Sequence, residues 1–333
     1  MICWNLCGRK ELPGHDRPMI CLVAGAYGFL GSRIASSLVE QGHQLILGSS
    51  RSREQPEWLR SARVRVLDYE DPASLQSSLE EVDVVIHCAG MNAMDCSADP
   101  ARALLVNGVN TAKLVRSARD MQVKKFIYLS TAHVYRSPLE GVIDDKTPTE
   151  NLHPYATSHL AGENALLSEI HTSTLDGCVL RLTNCFGKPM SSEANCWMLL
   201  VNDLCRQAVT ARTLEMKSNG SQLRDFIGLT RVCNDIRMLI DSKNLSSCGA
   251  EGVVNIATGR SFTLLDMAEL IRERCQILFH YKPDLVINDA DETNYGSHLE
   301  IRPSRCITTF ANEDDQGAEI DKLLLFCREY FAA

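Results

Sequence analysis

The stretch ICLVAGAYGFLG, residues 20 to 31, narrows the possible folds more than any other part of the chain. It opens as an apolar run of strand type, and an apolar-periodic pattern that predicts a helix over 29 to 41 follows directly. Between and inside them stand glycines at 25, 28 and 31. Gly25 permits a tight turn, Gly28 lets the backbone approach a pyrophosphate, and Gly31 allows the helix to pack closely on the strand. The amino end of that helix favours the negative charge of a phosphate. Three glycines alone would mean little, but between a strand and a helix they predict a dinucleotide cradle. Its contacting residues would be Gly25, Tyr27, Gly28, Phe29, Leu30 and Gly31.

The same alternation continues down the first half. Apolar runs at 20–25, 44–48, 63–68, 83–90 and 125–130 predict strands, and helical patterns cover 29–41, 98–120 and 155–170. Near-continuous apolar strands separated by helices predict an α/β fold with a doubly wound parallel sheet, the Rossmann arrangement. Ligands of such sheets bind beyond the carboxyl ends of the strands, so the residues that end each strand matter most. After CVLRLTNCFG (178–187) the pattern loosens: a helix at about 195 to 211, a polar turn KSNGSQ, a helix from about 229, the strand GVVNIA and the helix LLDMAELIRER. The expected division is an N-terminal extension over 1–18, disordered, a dinucleotide-binding domain over 19–185, and a smaller mixed α/β C-terminal lobe over 186–333. That lobe would bind substrate and return some segments to the first domain.

Of the 333 residues, 45% are hydrophobic and 23% charged, ordinary usage for a soluble globular chain. A formal net charge of −8 argues against a nucleic-acid or anionic-membrane partner, either of which needs a basic surface. The 14 cysteines are scattered singly, mostly in apolar runs, and no pair has zinc-ligand spacing. They read as reduced, buried thiols, with no metal site. No segment has signal-peptide layout or membrane-spanning length, and the expected location is the cytoplasm.

The end of the second strand bears on the choice of dinucleotide. An acidic residue there would bind a ribose 2′-hydroxyl, as in NAD sites. This chain instead reads LGSSRSRE, residues 47–54. Ser49, Ser50 and Arg51 suit a 2′-phosphate, because arginine offers a charged bidentate fork, so NADP is favoured over NAD. The competing reading is a solvated loop with incidental arginines. Asp68, closing the third strand, is placed to meet the adenine edge.

With HCAG (87–90), STAHVY (130–135), YATSH (155–159), RLTNCFG (181–187) and GSQLRDF (220–226), the chain resembles the extended short-chain dehydrogenase/reductase family. More closely it resembles the nucleotide-sugar epimerases, dehydratases and 4-ketoreductases, over residues 19 to 275. The resemblance implies that Tyr155 is the catalytic acid/base and that Thr131 hydrogen-bonds the reacting C4 oxygen. It also implies that Cys88, Ala89 and Gly90 face the cofactor and that Asn107, counted with the cofactor site, supports the active-site architecture. Asn184 and Arg224 match positions that hold the diphosphate or the sugar. The implied reaction is hydride transfer between nicotinamide C4 and sugar C4, with Tyr155 exchanging the hydroxyl proton. The implied assembly is a homodimer paired through the helices near 98–120 and 155–171.

Three positions depart from the family pattern. His159 stands where the family carries a lysine that hydrogen-bonds the nicotinamide ribose and favours phenolate. Two charges about 4 Å apart at an effective dielectric near 20 interact by roughly 4 kcal/mol, enough to move a phenol pKa by about three units. A histidine is mostly neutral at pH 7 and supplies only part of that field. It is either a working substitute or the mark of a lost activity. Ala132 and His133 replace the Asp-Glu pair of the dehydratases, which argues against 4,6-dehydration. His133 is then a proton carrier at C3 or C5, a hydrogen-bond partner of a sugar hydroxyl, or a loop histidine satisfied locally. Glu163 is expected to face solvent or a subunit partner. The leading reading is a 4-epimerase or 4-ketoreductase of a nucleoside-diphosphate sugar. The alternatives are a nucleotide-binding regulator or scaffold of the same fold and a reductase of another small carbonyl compound.

Overall fold

The structure is a computed structural model that describes residues 18–287, 298–310 and 316–332. The expectation for residues 1–18 lies almost entirely outside them, as do Cys3 and Cys7. Seven parallel strands form the central sheet, in the order Val253–Ile256, Asp176–Leu182, Lys125–Thr131, Val84–His87, Ile20–Ala24, Gln44–Ser49 and Arg63–Val66. The order reverses direction between Ile20–Ala24 and Val84–His87, and a crevice opens at such a switch point. Ala24 pairs with Gly48 on one side and His87 on the other, so the ends of these strands meet at one edge.

Both faces of the sheet are covered, and side-chain alternation sorts the residues between them. Cys21 and Val23 pack with Ile34, Leu38, Val232 and Ile236 on one face. Leu22 and Ala24 pack with Leu114, Val115, Ala118 and Leu166 on the other. The helix Leu229–Asp241 and the strand Val253–Ile256, distant in sequence, thus complete the central sheet and its cover. The C-terminal lobe holds a separate core of Val201, Leu204, Met267, Ile271, Ile320 and Leu323. A mixed three-stranded sheet leads into it: Leu223–Gly228 runs parallel to Asn184–Phe186 and antiparallel to Ser261–Thr263.

Several expected elements differ. The helix expected over 98–120 begins at Ala93, breaks at Asp99 and restarts at Pro100, because the Asp99 carboxylate caps the amide of Arg102 at 3.0 Å. It then widens into a π-turn over Leu104–Val109 before Asn110–Asp120. A short helix, Pro72–Ser77, capped by Asp71, was not expected. The helix expected from about 195 starts only at Leu200, because residues 191–199 close into turns and the indole of Trp197 donates to the Ser192 carbonyl at 2.9 Å.

Candidate active site

Beyond the carboxyl ends of the strands lies a cavity of about 630 Å³. It is lined by Gly28, Phe29, Leu30 and Gly31 of the glycine turn and by Cys88, Gly90, Thr131, Tyr155 and His159. His133, Asn184 and Arg224 line it as well. Twelve of the expected site residues are therefore brought to one cavity.

The glycine turn fits a dinucleotide phosphate. Gly25 has φ +82°, and a Cβ there would sit 2.7 Å from the amide nitrogen of Ala89. A Cβ on Gly31 would sit 2.3 Å from the carbonyl oxygen of Gly25, so the helix lies against bare backbone. No side chain caps the helix Phe29–Glu40, which leaves its first amides available to an anion. Tyr27, Ser49, Ser50, Arg51 and Asp68 do not line the cavity; they belong to the glycine turn and to the loops that end the second and third strands. There the Tyr27 hydroxyl donates to the Glu54 carbonyl at 2.8 Å, and Arg53 lies 5.5 Å above the Tyr27 ring. Arg51 is exposed, and its amide donates to Ser49 Oγ at 3.4 Å.

Asn107, expected to support the active-site architecture, does not line the cavity. Its side chain is fully buried, with Oδ1 accepting from the Met91 amide at 2.8 Å and Nδ2 donating to Ser158 Oγ at 3.0 Å. The π-turn puts it behind the wall, tying the loop after strand Val84–His87 to the helix Pro154–Thr172. Ala89 likewise packs beneath the turn, against Gly25.

Tyr155 sits in the first turn of the helix Pro154–Thr172, whose N-cap is the imidazole of His153, accepting from the Tyr155 amide at 3.1 Å. Tyr155 and Thr131 both line the cavity, and burial pushes the Tyr155 phenol pKa up. His159, one turn on, is buried and meets the Tyr155 ring edge-on at 4.7 Å. Burial pushes its imidazole down to about 4, so it is neutral near pH 7. His133 is also held neutral: burial first, then the positive charge of Arg224, pushes it down to about 4. Asn184 donates to the Asp225 carbonyl at 3.1 Å, and Arg224 donates to Gln222 Oε1 at 2.8 Å. Asp225 itself is wholly buried and accepts from Thr183, Thr258 and Gly259, which joins the lobe to the main sheet.

Glu163 overturns its expected place. Its carboxylate is wholly buried, two turns beyond Tyr155, and takes the Arg181 guanidinium at 2.7 Å and the Ser130 hydroxyl. Reasoning from sequence missed one part of the cavity wall, Met91, Asn92 and Asp95 after the fourth strand; the stretch SSEANCWMLLVNDLCRQ, expected to line the pocket through a helix, does line it with Asn195, Met198 and Leu199, which precede the helix at Leu200. Asn and Asp beside the HCAG turn were the available signal for the missed part. The other three residues sit in turns that periodicity read as helix. Among the described residues, no cluster of three or more His, Cys, Asp or Glu side chains could hold a metal. The twelve described cysteines are free thiols, and no described helix is long and apolar enough to cross a membrane.

Comparison with known proteins agrees with this fold. A UDP-glucose 4-epimerase of Halalkalibacterium halodurans is 24% identical over 269 residues, covering 77% of this chain and 80% of that one. A dTDP-6-deoxy-L-talose 4-dehydrogenase (NAD(P)(+)) of Kitasatospora kifunensis is 25% identical over 266 residues, 78% and 80% of the two chains. The solved UDP-glucose 4-epimerase of Thermotoga maritima, bound to UDP-glucose, superposes with a TM-score of 0.74 at 22% identity, over 93% of this chain and 99% of that one. The model of the NAD dependent epimerase/dehydratase family matches residues 21–257, and the chain belongs to that family.

Proposed function

We propose that the chain is an NADP-dependent oxidoreductase acting at C4 of a nucleoside-diphosphate sugar, with 4-keto reduction as its favoured direction. The observation that carries this is one cavity lined by the glycine turn, Thr131, Tyr155 and the buried His159. The glycine turn would hold the cofactor's pyrophosphate, and Ser49, Ser50 and Arg51 the 2′-phosphate. Asn184 and Arg224 would hold the substrate's diphosphate or sugar, and neutral His133 a sugar hydroxyl. The nicotinamide, when bound, supplies or accepts hydride. Tyr155 moves the proton on the C4 oxygen, and Thr131 holds that oxygen in line with it. Twelve free thiols suit the reducing cytoplasm in which we place this reaction.

The direction follows from the proton. Reduction needs Tyr155 protonated, and burial that raises its pKa keeps it so across neutral pH. Oxidation of the alcohol needs phenolate, so its rate should climb with pH through the raised pKa. An epimerase runs both half-reactions and would lack this asymmetry. His159→Lys, which adds a positive charge beside the phenol, should move the oxidative limb to lower pH and raise that rate near pH 7 by about tenfold or more. Steady-state rates in both directions from about pH 6 to 10 check this. A profile unmoved by the substitution, or a large loss at every pH, would sink it.

Calorimetric titration of the cofactor-stripped protein tests the dinucleotide. NADPH should bind more tightly than NADH, and Arg51→Ala should weaken NADPH by about tenfold while leaving NADH unchanged. Tightly retained NAD would overturn the preference and favour an epimerase. If no nicotinamide nucleotide binds, the chain is a binding module and not an enzyme.

We also propose a homodimer through the π-turn and the helix Pro154–Thr172. Leu104, Leu105 and Val109 stand 46–48% exposed there, an apolar face that a second copy would cover. Light scattering should give twice the chain mass for the native protein and the single-chain mass for Leu105→Glu/Val109→Glu. A native monomer at micromolar concentration would remove this proposal.

A further inference from the structure

Three aromatic rings from three elements lie in series behind the catalytic pair. His87 stacks on Tyr128 with centroids 5.3 Å apart, and Tyr128 on His159 at 6.1 Å. All three are buried, so their neighbours decide where each proton sits. The Thr111 hydroxyl gives its one proton to the Asn107 carbonyl at 2.7 Å and can only accept from His87 Nε2, 2.9 Å away. The Asn107 carbonyl, so occupied, lies 3.5 Å from the Tyr128 hydroxyl, whereas His159 Nδ1 lies at 2.9 Å. The shorter contact takes the phenol proton. A neutral His159 that accepts at Nδ1 carries its hydrogen on Nε2. That nitrogen faces Gly90 at the cavity: a Cβ built on Gly90 would sit 3.7 Å from it.

We infer that Tyr128 is a positioning residue that holds His159 as its Nε2–H tautomer and aims that single N–H at the cofactor side of the cavity. A lysine at 159 would need no such help, since its ammonium presents three donors in any rotation. A histidine presents one, and without a partner at Nδ1 the proton divides between the two nitrogens. Tyr128 thereby makes the neutral ring a directed donor toward a ribose hydroxyl. That purpose rests on the oxidoreductase reading; the tautomer does not.

The two are tested apart. Protein labelled with ¹⁵N-histidine, assigned with His159→Gln, should show in long-range proton–nitrogen spectra at about pH 7.5 an unprotonated Nδ1 and a protonated Nε2 for His159. Tyr128→Phe, which removes one oxygen and keeps the ring, should convert this to a tautomer mixture. The same substitution should weaken NADPH binding by about fivefold, the worth of one neutral hydrogen bond. In a His159→Lys background it should leave NADPH affinity within about twofold. Protonated Nδ1 in the native protein, or a tautomer unchanged in Tyr128→Phe, overturns the inference. So does a Tyr128→Phe loss of NADPH affinity that is equally large with lysine at 159, which would mean a merely structural role. The expected spectra with no binding of any nicotinamide nucleotide would uphold the inference about Tyr128 and remove the proposed function instead.

Discussion

Tyr155→Phe should lower turnover in both directions by about 10³-fold while changing NADPH affinity no more than about threefold. Tyr155 lines the cavity with Thr131, and its ring meets the His159 ring edge-on at 4.7 Å. Removing the oxygen leaves that packing in place, so the loss reports proton transfer and not a disturbed wall. Thr131→Val should cost less, about 10²-fold, because it removes an orienting hydrogen bond and leaves the acid itself. Rapid-quench turnover with saturating cofactor, beside calorimetry of the same samples, separates the two quantities. If Tyr155→Phe kept more than a tenth of native turnover, another group would be carrying the proton. His133, on the same cavity wall and held neutral, would be the first to examine.

What could be read from sequence was what a single segment dictates. The Gly25–Gly31 turn is legible because each glycine answers to backbone only a few residues away, or to the strand beside it. Tyr155 and His159 are legible as a pair because four residues on a helix bring them to one face. The environment of His159 was not, since the Tyr128 hydroxyl that reaches it stands 31 residues earlier, inside KFIYLST, where alternation shows only a buried ring. Glu163 was misplaced for a related reason. A glutamate on a helix is ordinarily solvated. Only the pairing of strand Lys125–Thr131 with Asp176–Leu182 shows that Ser130 and Arg181 lie side by side beneath it. Asn107 was read by type and not by the π-turn that rotates it inward. The wall at 195–199 was misread because a Trp197–Ser192 hydrogen bond outweighs helical periodicity over one turn.

The buried ion pair gives the largest expected effect on stability. Glu163 and Arg181 are 0% and 7% exposed, and the carboxylate meets the guanidinium through both Nε and Nη2. Arg181 also lies 4.7 Å above the Tyr135 ring, whose hydroxyl donates to Asn255 at 2.6 Å. Removing one partner leaves the other charge in a medium that cannot solvate it, at a cost of about 3–5 kcal/mol. Glu163→Leu should therefore lower Tm by about 10 °C, at about 2–4 °C per kcal/mol for a chain somewhat smaller than this. Glu163→Leu/Arg181→Met should recover most of that loss, because an apolar pair of similar volume removes both charges together. The ion pair is then a positional device more than a source of stability. Ser130, which donates to Glu163, immediately precedes Thr131, so the pair fixes the strand end that carries the hydroxyl proposed to hold the C4 oxygen. The double variant should accordingly unfold near the native temperature yet turn over more slowly, by about tenfold, with NADPH affinity intact. Differential scanning calorimetry and turnover on the same preparations read both effects. Additive destabilisation in the double variant would show that the two side chains do not act as a pair, and native turnover in it would show that Thr131 is positioned without them.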